Sequence, residues 1–199
     1  MMRQPPIQPA IRVIQQEHDL LSAIIRGMEY FVQIIDEGGK APDAKVFRAM
    51  LLYISDYPDR VHHPKEDNYL FARLHQRTDK VDDVLSHLES EHQRGDQMVF
   101  ELQHALARLE FHGMKTFPDF RALVQRYAQF YNGHMRLEED VVLPAALQFL
   151  TAADWDDINA AFQANDNPLA GTDDKEDLQK LFSLIANIAP PPVGVGPEA

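Results

Sequence analysis

Val61-His62-His63-Pro64-Lys65-Glu66-Asp67 is the stretch on which the reading of this chain turns. It lies inside a helical pattern and sets His62 and Glu66 four residues apart. Residues i and i+4 of an α-helix lie one above the other on the same face. An imidazole and a carboxylate stacked in this way can reach one metal ion or two adjacent ions. The spacing recurs as His134 and Glu138 in Gly133-His134-Met135-Arg136-Leu137-Glu138-Glu139-Asp140. Two such pairs on two different helices are much less expected by chance than one.

Working outward from the first pair, Phe47, Met50, Ile54, Tyr57 and Val61 alternate spacings of three and four. That is the seam of a bundle helix opening near Pro42-Asp43. The pattern then slips by one residue to His62, Glu66 and Leu70, with Pro64 inside the slip. Proline lacks a backbone donor and clashes with the carbonyl four residues back. A kink or local bulge is therefore expected to rotate His62 and Glu66 inward. His63 is intermediate, because the same kink can turn it toward the site.

Three further seams carry the remaining candidates. Ile14, His18, Leu21, Ile25, Met28, Val32 and Ile35 belong to a first helix that should end near Gly38-Gly39. Val81, Leu85, Leu88, His92, Gly95, Val99, Leu102, Leu106 and Leu109 mark a third helix from about Asp79 to Phe111, with Gly95 admitting a close neighbour. Phe120, Val124, Tyr127, Tyr131, His134, Glu138, Val141 and Ala145 mark a fourth, opening at Phe117-Pro118 and bent or weakened at its far end by Pro144.

Short connections make successive helices antiparallel. At 1.5 Å per residue, His18, His92 and the two His–Glu pairs then lie within roughly 9–24 Å of the same end, levels that overlap. The expected fold is all-α: an up-down-up-down four-helix bundle over residues 11–150, after an extended arm at 1–10. Residues 151–199 form an extension. There Thr151-Ala152-Ala153-Asp154 resembles a capping box before a helix from Trp155 to Phe162. Thr172-Asp173-Asp174 caps a last helix, and the tail from Pro190 to Pro197 reads as extended or disordered.

Composition narrows the function. The chain has 199 residues, 45% hydrophobic and 25% charged, a globular profile with enough length for a real core. A net charge of −12 argues against a nucleic-acid partner and against anionic membranes, and suits a protein that attracts cations. With no cysteine there is no disulfide, thiolate nucleophile or iron–sulfur cluster. The first residues lack the apolar run of a signal peptide, and no segment approaches a membrane span, so the cytoplasm is the expected location. Nothing in the sequence fixes an oligomeric state.

A lone seam histidine is usually a core residue with one hydrogen bond, and a lone His-x-x-x-Glu is more often a surface pair. Four seam histidines (His18, His62, His92, His134) and two seam carboxylates (Glu66, Glu138) at one depth change the balance. Two buried carboxylates without compensation would protonate or unfold the layer. Metal ions supply the missing charge. His75, His87, His104 and His112 lie off the seams or at helix ends and read as solvated. The acidic runs Glu89-Ser90-Glu91 and Glu138-Glu139-Asp140 read as ordinary solvated faces, apart from Glu138. A mixed nitrogen–oxygen set suits iron, manganese or zinc. The ferritin-like arrangement, Glu-x-x-His on two different helices, is not available, because Glu89-x-x-His92 and Glu101-x-x-His104 share one helix.

At these residues the chain resembles the hemerythrin family, in particular bacterial proteins with the hemerythrin-like HHE cation-binding domain. The matching pieces are Glu17-His18-Asp19, His62-His63-Pro64-Lys65-Glu66, Glu91-His92 and His134-Met135-Arg136-Leu137-Glu138-Glu139. The resemblance covers roughly residues 11–150, and residues 161–169 with the helix after them look like the C-terminal extension of some bacterial members. It implies a bundle around a non-haem di-iron centre, oxo- or hydroxo-bridged. His18, His62, His92 and His134 would be terminal ligands and Glu66 and Glu138 would bridge. The animal oxygen carriers have a further histidine where this chain has Leu88, which puts simple reversible O2 carriage in doubt. The leading expectation is a metal-binding protein that binds or senses O2, NO or iron and redox state. The alternative is a di-iron enzyme of oxidative or nitrosative stress: a peroxidase, an NO reductase or an iron donor for repair. A third reading is a helical interaction protein whose polar layer is vestigial.

Overall fold

The computed structural model describes residues 8–163 and 174–197, and the regular secondary structure among them is entirely helical. α1 (Pro9–Asp36) carries a proline in its first turn, where a missing N–H costs no helical bond. It therefore starts inside the expected arm, of which residues 1–7 lie outside the described residues. Asn159 Oδ1 accepts the Ala10 N–H at 2.9 Å and satisfies one donor of that first turn. Just past its end Gly38 takes φ 82°, the left-handed conformation that glycine allows.

α2 (Ala44–Asp56) is capped by Asp43, whose carboxylate accepts the Lys45 N–H at 2.9 Å. The helical path does not stop at Asp56. It continues through a π turn (Pro58–His62), the single turn α3 (His63–Lys65), a second π turn (Glu66–Phe71) and α4 (Ala72–Arg77). The expected slip is thus a π-helical insertion on either side of Pro64. The His62 N–H reaches the Tyr57 carbonyl, five residues back, at 3.1 Å. A turn with one residue too many rotates all that follows. As a result Val61, His62 and His63, three consecutive residues, are all buried.

α5 (Asp82–His112) ends at Gly113, φ 72°, and a 3-10 turn (Gly113–Thr116) leads into α6 (Phe117–Leu137). A third π turn (Glu138–Val142) joins α6 to α7 (Leu143–Phe149), so the helical path runs through Pro144. α8 (Ala152–Gln163) starts with the expected box: Thr151 Oγ1 accepts the Asp154 N–H at 3.3 Å, and the Asp154 carboxylate accepts the Thr151 N–H at 2.8 Å. α9 (Asp174–Ile188) follows, and its expected cap at Thr172-Asp173 lies outside the described residues. The tail expected to be extended or disordered turns back on α9. The Val195 N–H bonds the Ala186 carbonyl and the Gly196 N–H the Ala189 carbonyl, both at 2.8 Å. Val193 rests on α1 at Gly27, where a β-carbon would lie 2.9 Å from Val193 Cγ1.

Among the described residues the apolar core is divided in two. One cluster includes Leu21, Ile25, Met50, Ile54, Val99, Leu102, Tyr127 and Tyr131, with Ile185 of α9 and Ala189 after it. The other includes Ile11, Ile14, Leu70, Phe71, Leu85, Leu88, Val142 and Leu143, with Trp155, Ile158 and Phe162 of α8. The candidate site residues fall between them in sequence: His18 between Ile14 and Leu21, the pair His62 and Glu66 between Ile54 and Leu70. His92 likewise falls between Leu88 and Val99, and the pair His134 and Glu138 between Tyr131 and Val142. Among the described residues no helix is long and apolar enough to cross a membrane.

Candidate metal centre

Each site residue reaches the layer for a local reason. His18 takes the one seam position of α1 where polarity replaces an apolar side chain. His62 and Glu66 are turned in by the two π turns around Pro64, and Glu138 begins the third π turn one helical step after His134. His92 follows Leu88 on the buried stripe of α5. All six residues are buried, the two glutamates with 1% of their surface exposed. His75, His87, His104 and His112 are exposed.

Each outer ring nitrogen of the four expected histidines meets a carboxylate. His18 Nδ1 lies 2.9 Å from Glu139, His62 Nδ1 2.6 Å from Glu17, His92 Nδ1 2.9 Å from Asp67 and His134 Nδ1 3.1 Å from Glu91. An ionised carboxylate only accepts, so Nδ1 carries a proton in each ring. The four contacts close a ring. α1 supplies Glu17 to His62, the second π turn supplies Asp67 to His92, α5 supplies Glu91 to His134, and the third π turn supplies Glu139 to His18. Every carboxylate in this ring is the neighbour in sequence of a site residue on its own segment: Glu17 of His18, Asp67 of Glu66, Glu91 of His92 and Glu139 of Glu138. The Tyr57 hydroxyl donates to the other oxygen of Glu17 and fixes it in turn. Reading Glu91 and Glu139 as ordinary solvated faces missed this role; their adjacency to His92 and Glu138 was the available signal.

With Nδ1 committed outward, every Nε2 points inward. His18 Nε2 lies 3.2 Å from Glu138 Oε2, and His62 Nε2 lies 3.2 Å from Glu66 Oε1. On the other side His134 Nε2 lies 3.3 Å from Glu138 Oε1, and His92 Nε2 lies 3.6 Å from Glu66 Oε2 and 3.8 Å from Glu138 Oε1. Both carboxylates therefore offer one oxygen to the His18/His62 side and the other to the His92/His134 side. Despite these distances both oxygens of Glu66, both of Glu138, and the Nε2 atoms of His92 and His134 lack hydrogen-bond geometry to any partner among the described residues. Buried polar atoms are almost always paired, and donor atoms that converge without bonding one another fit a shared cation. The Nε2 atoms of His18 and His62 also face each other at 3.2 Å, which two lone pairs do not tolerate unless a proton or a cation joins them.

Among the described residues two groups emerge with ligand atoms all within 4.8 Å of one another: His18, His62, Glu66 and Glu138, and His63, His92 and His134. His63 was left intermediate by the sequence and lies in the second group. Its ring stacks on that of His92, centroids 4.1 Å apart and planes 10° apart. Leu88, fully buried, belongs to the apolar cluster of Phe71 and Leu85.

Electrostatics follow this geometry. Burial disfavours the imidazolium form, yet the carboxylates beside His18 (Glu138, Glu139) and His92 (Asp67, Glu138) outweigh it and push both up to about 9. His134 is pushed up to about 10, again against burial, by Glu138 and Glu91. His62 is raised well above its ordinary value, burial being overcome by Glu66 and Glu17. Glu138 is held well below the carboxylate range: burial opposes this, and His134, His18 and His92 prevail. His63 goes the other way, driven well below its ordinary value by burial and then by repulsion from His92, His62 and His134. The donor set, four or five imidazoles and two carboxylates, suits iron, manganese or zinc.

No curated protein matches the chain. The family model described as the hemerythrin HHE cation binding domain matches residues 9–146, a span that runs from the first turn of α1 through both His-x-x-x-Glu pairs. With that span matched and its histidines and glutamates converging in one buried layer, the chain belongs to the hemerythrin HHE cation-binding domain family.

Proposed function

We propose that the protein holds two non-haem iron ions and uses them to bind or sense a small ligand, O2 or NO, or to report iron and redox state. The supporting observation is the pair Glu66 and Glu138, each with one oxygen toward His18 and His62 and the other toward His92 and His134, and none of the four hydrogen-bonded. In this reading Glu66 and Glu138 would be shared by both ions, and His18, His62, His92 and His134 would each bind one. Glu17, Asp67, Glu91 and Glu139 hold the rings in the tautomer that aims Nε2 inward. Apolar clusters on both sides keep bulk water out and strengthen the charge interactions within the layer. When bound, iron supplies redox change and coordination positions open to a diatomic ligand.

The proposed architecture is an up-down-up-down four-helix bundle over residues 11–150, with 151–199 as an extension. Its support is the order in which the segments meet the two clusters: α1 and α5 leave the Leu88 cluster for the Leu102 cluster, and the segments starting with α2 and α6 run back. Metal analysis of protein purified without added metal tests the function. About two irons per chain is the expected result, and no iron after supplementation of the growth medium overturns it. Steady-state turnover of peroxide or NO by the loaded protein would replace the binding role with an enzymatic one.

A further inference from the structure

We propose that His63 is itself a metal ligand, the third imidazole of the ion held by His92 and His134; this rests on the two-ion reading above. Its ligand atom lies within 4.8 Å of those of His92 and His134, a grouping as tight as that of His18, His62, Glu66 and Glu138. Its burial, 4% exposed, follows from the π turn that ends at His62 and carries both adjacent histidines inward. In a regular α-helix adjacent residues point about 100° apart, and one of the two would leave the layer. The fold therefore builds a local irregularity whose result is a second inward imidazole. Counting donors shows the consequence. His18, His62 and one oxygen from each glutamate give four on one side. His92, His134, His63 and the two other oxygens give five on the other. For ions that take up to six ligands, the two sides are then unequal, with four donors against five.

The competing account is that His63 is a core ring stacked on His92. His63→Phe separates the two, because phenylalanine keeps the stack and removes the ligand. The full chain is loaded with 57Fe, and iron content and Mössbauer spectra are compared. In the variant, iron per chain falls from about two toward one, or one of the two iron signals shifts while the other stays. Unchanged iron content and unchanged signals overturn the role of His63 while leaving the two-ion reading intact; a wild type that takes no iron overturns both. A second measurement needs no variant. In wild type loaded with Zn2+ as a diamagnetic probe, 15N spectra of the histidine rings should place one His63 nitrogen at a metal-bound shift. A His63 ring with the pattern of a free imidazole sinks the proposal.

Discussion

At the scale of the residue, the layer is governed by what an imidazole does with its second nitrogen. A histidine that only binds a proton needs one partner; these have two, a carboxylate at Nδ1 and a convergent cluster at Nε2. Replacing Glu138 with alanine should therefore abolish the stabilisation that metal confers. At a metal concentration 100 times Kd that stabilisation is about 2.7 kcal/mol per site, read as the rise in Tm on loading; a variant that still gains the full rise would show that Glu138 does not ligate. Glu91→Ala acts at one remove. It frees His134 to choose its tautomer and should weaken metal binding by ~10–100-fold without changing the number of sites, which competition against a chelator measures. That His18, His62, Glu66, His92, His134 and Glu138 are buried in one layer was legible because each occupies a seam position with a fixed spacing. The four outer carboxylates were not, because a residue beside a seam position points at a neighbouring helix, whose rotation no single seam gives. His63 was ambiguous for a related reason: seam periodicity admits one of two adjacent residues, and only the extra residue of a π turn admits both.

At the scale of the element, Pro64 announced an irregularity and the structure gives its form, π turns beginning at Pro58 and at Glu66. The third, beginning at Glu138, had no such herald, since Pro144 lies six residues on. Sequence periodicity tolerated it as a normal seam because Val141 and Val142 are both apolar. Gly95 was legible as a place of close approach, and the group that approaches is the Tyr131 hydroxyl, 2.5 Å from where a β-carbon would stand. Alanine there gains up to about 1 kcal/mol of helix propensity and loses ~1–3 kcal/mol by overpacking. Tyr131 is 1% exposed, so it has little room to yield. Gly95→Ala should thus lower stability by roughly 1 kcal/mol in the metal-free chain, seen as a lower denaturation midpoint with an unchanged m-value. An equal or higher midpoint would mean that Tyr131 moves aside freely.

At the scale of the whole molecule, a charged layer lies between two apolar clusters, so the fold and the site share one free energy. Without metal, the raised histidines act as counter-cations for Glu138. A group whose folded pKa lies above its unfolded value stabilises the fold fully below the unfolded value, and that contribution fades as pH rises through the folded one. For His18 and His92 the window runs from 6.5 to about 9, and for His134 from 6.5 to about 10. The metal-free protein should therefore lose thermal stability steadily between pH 7 and 10, as the layer is left with uncompensated carboxylates. The loaded protein should behave in the opposite sense over the first part of that window. Metal must displace the same protons, so its apparent affinity climbs with pH until the rings are neutral, and proton release accompanies binding. Calorimetric melting of both forms at pH 7, 8 and 9, with titration of metal in two buffers of different ionisation enthalpy, tests this directly. Parallel melting curves for the two forms, together with no proton release, would mean that the histidines are not what the metal displaces, and the charge balance assigned to the layer would have to be abandoned.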